Sequence, residues 1–239
     1  MTTTALSKIS PEDAGRTNER YACWEGIVPL PPDGLVWSVG GSTLEVFLVM
    51  SDAWGQLLMR LTETEASVLD VGCGCARAAR VLLPSPRVKR YVGFDVIPQS
   101  IEWCNRFLTP LFRERATFLH YDVYSAEYNP GGRTLASDLV FPCADHSIDL
   151  VVAASLFTHL LEPDSIHYLN EVGRVLSKRG RAALSIHTAV GRGVRFSGNE
   201  SRIDIDPEYF SELAMRAHLV PLETIPDLGG QMVIVFGRA

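Results

Sequence analysis

The stretch SVLDVGCGCARAAR, Ser67–Arg80, gathers an aspartate, two glycines and two cysteines between Asp70 and Cys75. Three kinds of chemistry fit such a cluster: a strand that stops at a ligand, a metal-binding Cys-x-Cys, or an ordinary tight turn. Cys73 and Cys75 have no second cysteine pair to complete a tetrahedral site, so no metal is expected there and the thiols read as small packing residues. Gly72 and Gly74 let the chain turn tightly enough for a ligand to approach the backbone, and Asp70 stands just before them. About 20 residues further on, at the end of RYVGFD, Asp95 is at the distance where an acid can accept both hydroxyls of an adenosine ribose. Two histidines stand at comparable places, His159 in FTHL and His187 in LSIH, each following an apolar run. Near neutral pH an imidazole there could take a proton from a nucleophile.

These groups need elements to position them. SVLDV ends at glycine, ARAARVLL has small and aliphatic residues at helical spacing, and RYVGFDV reads as a buried strand, which makes a β-α-β unit. PQSIEWCNRFL opens a helix at Pro98, with Ile101, Cys104, Phe107 and Leu108 on one face. ATFLHYD alternates as a third strand, and SIDLVVAASLF is apolar throughout, as a strand covered on both faces should be. PDSIHYLNEVGRVL puts Ile166, Leu169, Val172 and Leu176 on one helical face before the strand RAALSIH. PEYFSELAMRAH, LVPLETI and GQMVIVFG add a helix and two extended segments. Strands alternating with helices predict a doubly wound, mainly parallel seven-stranded α/β sheet with its last strand antiparallel and its ligands at the carboxyl ends of the strands.

Length and charge bound the partners. The chain has 239 residues, 46% of them hydrophobic, enough for one α/β domain with additions. A net charge of −6 argues against a broad basic face, so no nucleic acid is expected as a main partner. Five cysteines and the polar opening MTTTALSKISPEDAGRTNER give neither a disulfide framework nor a secretory leader, which predicts a cytoplasmic protein. Apolar runs end well short of the roughly 18 residues of a membrane span, so no membrane is expected either.

VLDVGCGCARAAR, YVGFDV, HYDVY and FPCADHSIDLVVAASLFTHLLEPDSIHYLNEVGRVLSKRGRAALSI resemble, in order and spacing, the successive motifs of class I S-adenosylmethionine-dependent methyltransferases. The resemblance runs from about Ser42 to Gly237 and implies a Rossmann-like methyltransferase fold. It implies Gly72, Cys73 and Gly74 under the methionine moiety, Asp70 near its ammonium group and Asp95 on the ribose. Val96 would pack on the adenine, Asp122 with the Val123 backbone would meet its edge, and Ser155 would complete the cofactor set. The sequence departs from the family at Ala76, where a third glycine is common.

A nicotinamide-dependent oxidoreductase shares the glycine loop and the second-strand acid, but the third fingerprint glycine is missing. A non-catalytic S-adenosylmethionine-binding protein keeps the same motifs and is separated only by assay. No NPPY or DPPY follows the fourth strand, where AASLF stands instead, which disfavours a planar amide or base as acceptor. The resemblance therefore implies methylation of a hydroxyl, with an amine second, on a small metabolite, natural product or saccharide. Residues 1–41 are expected to form an arm or lid and 42–239 the catalytic domain, with acceptor-binding inserts at 124–142 and 188–206. Tyr21, Trp24 and Trp37 could make an apolar lid, and Arg192 with Arg195 could bind an acidic group on the acceptor. His187 is favoured over His159 as general base because the second insert begins directly after it, and Glu162 stands in reserve.

Overall fold

The computed structural model describes residues 28–39, 43–189 and 193–239. Helices α1 (Asp33–Ser38) and α2 (Leu44–Leu61) precede β1 (Ala66–Val71), short α3 (Ala79–Leu82) and β2 (Val88–Asp95). Then come α4 (Pro98–Phe107), α5 (Thr109–Phe112), β3 (Ala116–His120), β4 (Ile148–Ala153), α6 (Glu162–Val175) and β5 (Leu176–Thr188). A hairpin of β6 (Phe196–Asn199) and β7 (Arg202–Ile205), α7 (Pro207–Arg216), β8 (Leu219–Ile225) and β9 (Met232–Arg238) complete the chain.

Strands β3, β2, β1, β4 and β5 lie parallel in that order. β9 runs antiparallel to β5, and β8 antiparallel to β9. These are the expected seven strands with an antiparallel last strand. Inside the insert 188–206 the chain forms the β6–β7 hairpin, and β7 continues beside the end of β5 with His187 opposite Asp204. The strand order reverses direction between β1 and β4, so the cleft where a doubly wound sheet takes its ligand opens at their carboxyl ends.

Period-two alternation divides the core in two. Val68, Leu150 and Val152 face a layer with Leu35, Phe47, Trp54 and Ile101, whereas Leu69, Val151 and Ala153 face Phe157, Leu169, Val172 and Phe210. Every one of these side chains is buried, which is why the central strands read as unbroken apolar runs. Val28, Leu30 and Leu35, ahead of α2, pack into the first layer, so this part of residues 1–41 is joined to the main core. Helix starts follow local chemistry: Asp206 accepts the Tyr209 N–H at 2.8 Å, and Pro98, Pro163 and Pro207 occupy first-turn positions. Among the described residues no helix is long and apolar enough to cross a membrane.

Two fastenings hold the second layer against the site. Arg174 on α6 bonds both oxygens of Glu171, the Asp145 carboxylate and the carbonyls of Phe141 and Cys143, and Glu171 accepts the Phe141 N–H. Phe141 is thereby held between Phe94 and Tyr168, with ring centroids 5.2 and 5.3 Å away. Gly173 lets α6 cross the end of α7 so closely that a Cβ there would lie 2.0 Å from the Ala217 carbonyl oxygen. Because the obstruction is backbone, Gly173→Ala is expected to cost about 1–3 kcal/mol by overpacking. Denaturant unfolding should show the loss as a lowered midpoint at unchanged slope.

Candidate functional site

The glycine loop closes on the second strand through one carboxylate. Gly74 N–H donates to Asp95 Oδ2 at 2.7 Å and Ile97 N–H to Oδ1 at 2.9 Å. Gly72 and Gly74 have φ of +70° and +52°, and a Cβ on Gly74 would lie 2.2 Å from Val39 Cγ1. Both positions therefore need glycine. Ala76 also adopts a left-handed φ of 67°, so the departure from a third glycine is strain of about 1–2 kcal/mol held by the packed loop. Burial raises the pKa of Asp95 against the pull of the Ile97 and Gly74 N–H groups.

Asp70, buried beneath the loop, accepts a hydrogen bond from the Tyr91 hydroxyl. Burial pushes its carboxyl up to about 7, against the opposing pull of Tyr91 and Arg77. Arg77 is partly buried, which lowers its pKa, and its guanidinium donates to the Val39 carbonyl at 3.4 Å. Cys73 and Cys104 each point their sulfur at the Gly74 carbonyl, 3.7 Å away, and Cys75 at that of Leu35, 3.5 Å away. Burial raises all three thiol pKa values, Cys75 to about 12. They pack; among the described residues no group of three or more His, Cys, Asp or Glu side chains is arranged to hold a metal ion.

On the other side of the cleft, Ser155 follows β4 with a φ of 62°. Its N–H donates to Ser185 Oγ at 2.7 Å, and Gln231 bonds both hydroxyls, with its Oε1 2.7 Å from Ser185 Oγ and its Nε2 2.9 Å from Ser155 Oγ. Next along the chain, His159 places Nδ1 2.7 Å from the Glu200 carbonyl, and the Tyr128 hydroxyl lies over the ring, 3.1 Å from Nε2 and 3.5 Å from Nδ1. A carbonyl can only accept, so Nδ1 carries the hydrogen and Nε2 is bare. Burial lowers the His159 pKa below the ordinary 6.5. His187 is also lowered, by burial and then by the charge of Arg202.

Together these walls enclose a cavity of about 700 Å³, within the range that takes a cofactor and a small partner. Of the residues expected from sequence it is lined by Asp70, Gly72, Cys73, Gly74, Asp95, Val96, Val123, Ser155, His159, His187 and Trp37. Trp37, on α1, is 64% exposed and stands at the rim. Asp122 is placed differently: its carboxylate turns to Arg133 at 2.7 Å and to Asn129, and the cavity wall at that point is Val123. Arg195, on the hairpin, packs over the Tyr209 ring instead of lining the cavity, and Glu162 accepts from the Tyr209 hydroxyl. Tyr21, Trp24 and Arg192 lie outside the described residues. Tyr128, Glu200, Gln231 and Arg77 also line the cavity and were missed as site residues; Tyr128 and Glu200 fall within the inserts 124–142 and 188–206, whereas Gln231 and Arg77 carried no signal.

The residues present fit S-adenosylmethionine on structural grounds. Each Asp95 oxygen spends one acceptor direction on a backbone N–H and keeps another for a ribose hydroxyl. A buried carboxyl and a partly buried guanidinium, Asp70 and Arg77, line the same end, matching an ammonium and a carboxylate, while Val96, Val123 and Ala136 provide an apolar slot.

Residues 69–182 match the family model described as a methyltransferase domain. A 1,6-didemethyltoxoflavin-N1-methyltransferase from Burkholderia thailandensis, solved with 1,6-didemethyltoxoflavin and S-adenosylhomocysteine, superposes with a TM-score of 0.62 at 17% identity, covering 97% of this chain and 91% of that one. A TehB-like methyltransferase from Corynebacterium glutamicum gives 0.57 at 19%, over 96% and 100%. A methyltransferase in complex with the Trm112 activator of Haloferax volcanii gives 0.57 at 18%, over 79% and 92%. Residues 69–182 thus carry a methyltransferase domain, and the fold of the described chain is that of S-adenosylmethionine-dependent methyltransferases, which supports an enzyme with S-adenosylmethionine as its cofactor. A nicotinamide-dependent oxidoreductase is not favoured.

Asp70 makes stability depend on pH. Its carboxyl is raised in the folded state, from 3.8 to about 7, so the stability it contributes is complete below about 3.8 and is lost as pH rises through about 7. Asp70→Asn cannot ionise and keeps an acceptor for Tyr91. In cofactor-free protein, the melting temperature of Asp70→Asn minus that of wild type should grow from about pH 4 to about pH 7 and level off above that. A constant difference would show that Asp70 does not titrate in this range.

Proposed function

We propose that the enzyme methylates a hydroxyl, with an amine second, on a small metabolite, natural product or saccharide. The observation that carries the reading is His159: a partly buried imidazole whose Nδ1–H is anchored on a carbonyl, which leaves Nε2 bare at the wall of the cavity, with the Tyr128 hydroxyl over the ring. A hydroxyl gains from losing its proton as it attacks, whereas a free amine needs no base at that step. The small-molecule acceptor is supported by the size of the cavity and by the similarity to a methyltransferase solved with 1,6-didemethyltoxoflavin.

S-adenosylmethionine supplies a methyl group activated on a sulfonium. The chain's own residues do the rest. Asp95 holds the ribose, Val96 and the Val123 backbone border the adenine, and Asp70 and Arg77 take the ammonium and carboxylate of the methionine end. Ser155, fixed by Ser185 and Gln231, sets the floor between that end and the acceptor. With its Nδ1 tied to the Glu200 carbonyl at the acceptor end, His159 takes the part of general base in preference to His187. Holding the nucleophile in line about 3 Å from the methyl carbon supplies much of the rate.

Labelled cofactor incubated with the enzyme and the low-molecular-weight fraction of a cell extract should yield an O-methylated product on separation by mass. Label found only on protein or nucleic acid would remove the reading. Asp95→Ala is expected to weaken cofactor binding by about 1.5–3 kcal/mol in calorimetry, through lost bonds to the ribose and release of the glycine loop. The acid limb of the pH–rate profile should fall below 6.5, because burial lowers the His159 pKa from that value.

A further inference from the structure

We propose that Asp164 and Tyr168, one turn apart on α6, hold an ammonium group of the acceptor, so that the molecule methylated is a hydroxyl-bearing amine. The inference rests on the oxygen-acceptor reading above and adds the acceptor's charge to it. Both residues line the cavity. Tyr168 is 3% exposed, and its ring is packed edge-on against Phe141 with centroids 5.3 Å apart. Its hydroxyl has no hydrogen-bond partner among the described residues. Buried polar groups are as a rule bonded, so a phenol left without a partner in a cavity wall is one that a ligand completes.

Asp164 gives that ligand its sign. Residues four apart share a helix face, which sets its carboxylate beside the Tyr168 side chain. Asp164 is half-buried, and no N–H or O–H group among the described residues donates to it. Burial and the charge of Glu200 raise its pKa, with His167 opposing. Burial and the charge of Asp164 in turn raise the pKa of Tyr168, so the phenol stays neutral and its oxygen can accept. A carboxylate withdrawn from water needs a partner, and a cation that donates several N–H bonds suits the carboxylate and the phenol oxygen together.

The rest of that wall has the same sign. Glu127 and Glu200 also line the cavity, and both charges act on the His159 ring. Glu200 Oε2 is already taken by the Ser125 hydroxyl at 2.8 Å and the Ala126 N–H at 2.6 Å, and Glu127 is exposed, so Asp164 is the carboxylate left for a ligand. Among the described lining residues the one Lys or Arg is Arg77, at the glycine loop, while Arg195 packs over the Tyr209 ring. An acidic acceptor, the kind expected of Arg192 and Arg195, would meet repulsion here. An ammonium has no lone pair and cannot attack the methyl carbon. The anchored nitrogen and the reacting oxygen are therefore different atoms of one molecule, the first at Asp164 and the second at His159.

The test uses full-length enzyme, labelled S-adenosylmethionine and the low-molecular-weight extract passed over a strong cation exchanger at about pH 2, where amines are charged and carboxylates largely are not. Label should pass to oxygen in the retained fraction, and acetylating the amines of that fraction should abolish the transfer. This part needs wild type alone. With the acceptor isolated from that fraction, Asp164→Asn should raise KM about 10–100-fold and Tyr168→Phe about 3–10-fold, each with a far smaller change in kcat. Binding of S-adenosylhomocysteine, followed by calorimetry, should be unchanged in both. O-methylation confined to the unretained fraction, or surviving acetylation, overturns the ammonium anchor and leaves oxygen methylation standing. An unchanged KM in either variant, or weakened S-adenosylhomocysteine binding, takes the pair away from the acceptor and overturns the assignment. A wild-type enzyme that yields no O-methylated product overturns the substrate reading and the anchor together.

Discussion

One buried carboxylate ties the methyl-donor half of the cleft together. Asp95 ends β2, yet its oxygens are bonded by N–H groups from the β1–α3 loop and from the start of α4. Three segments that each leave a strand or enter a helix are thereby pinned to one point. Charge-assisted bonds of this kind are stronger than neutral ones, and they are needed here because burial opposes the ionised form. The left-handed Ala76 is tolerable only in a loop so constrained. Packing beneath it completes the constraint, with Cys73 against Gly93 and Val39 filling the space beside Gly74.

The opposite half is built by other means. Its walls come from the segment around Tyr128, the turn after β4 and the β6–β7 hairpin at the end of the sheet, and hydrogen bonds join them beside the buried Phe157, Ile203 and Ile205. Glu200 is exchanged between all three, through its carboxylate to Ser125 and Ala126 and through its carbonyl to His159. Ser155, Ser185 and Gln231 join β4, β5 and the start of β9 in the same way. Polar networks of this kind fix side-chain orientation sharply, and removal of one member leaves the others unsatisfied.

How much of this was legible follows from the same division. Asp70, Gly72, Gly74 and Asp95 could be read because strand, loop, helix and strand succeed one another within about thirty residues, and each residue type answers a local backbone need. His159 and His187 could be placed at the cleft because each follows a strand. Tyr128, Glu200 and Gln231 could not, since they meet their partners across 31 to 76 residues of sequence through loops with no period of their own. Asp122 sits after β3 as expected, but Arg133, eleven residues on, holds its carboxylate away from the cavity. Arg77 carried no sequence signal, and only its place on the cavity wall with Asp70 makes it a chemical feature.

The two halves also differ in what a substitution can change. On the donor side, altering Asp95, Gly72 or Gly74 disturbs backbone geometry and a buried charge at once, so binding of the methyl donor and integrity of the fold are tightly linked. On the acceptor side, the cavity wall can vary at exposed Tyr124, Leu135 and Trp37 while the Glu200 clasp remains. The shape of the cavity mouth can therefore change while His159 stays anchored on the Glu200 carbonyl. On the proposed reading, the base would stay fixed while the apolar rim decides which molecule reaches it.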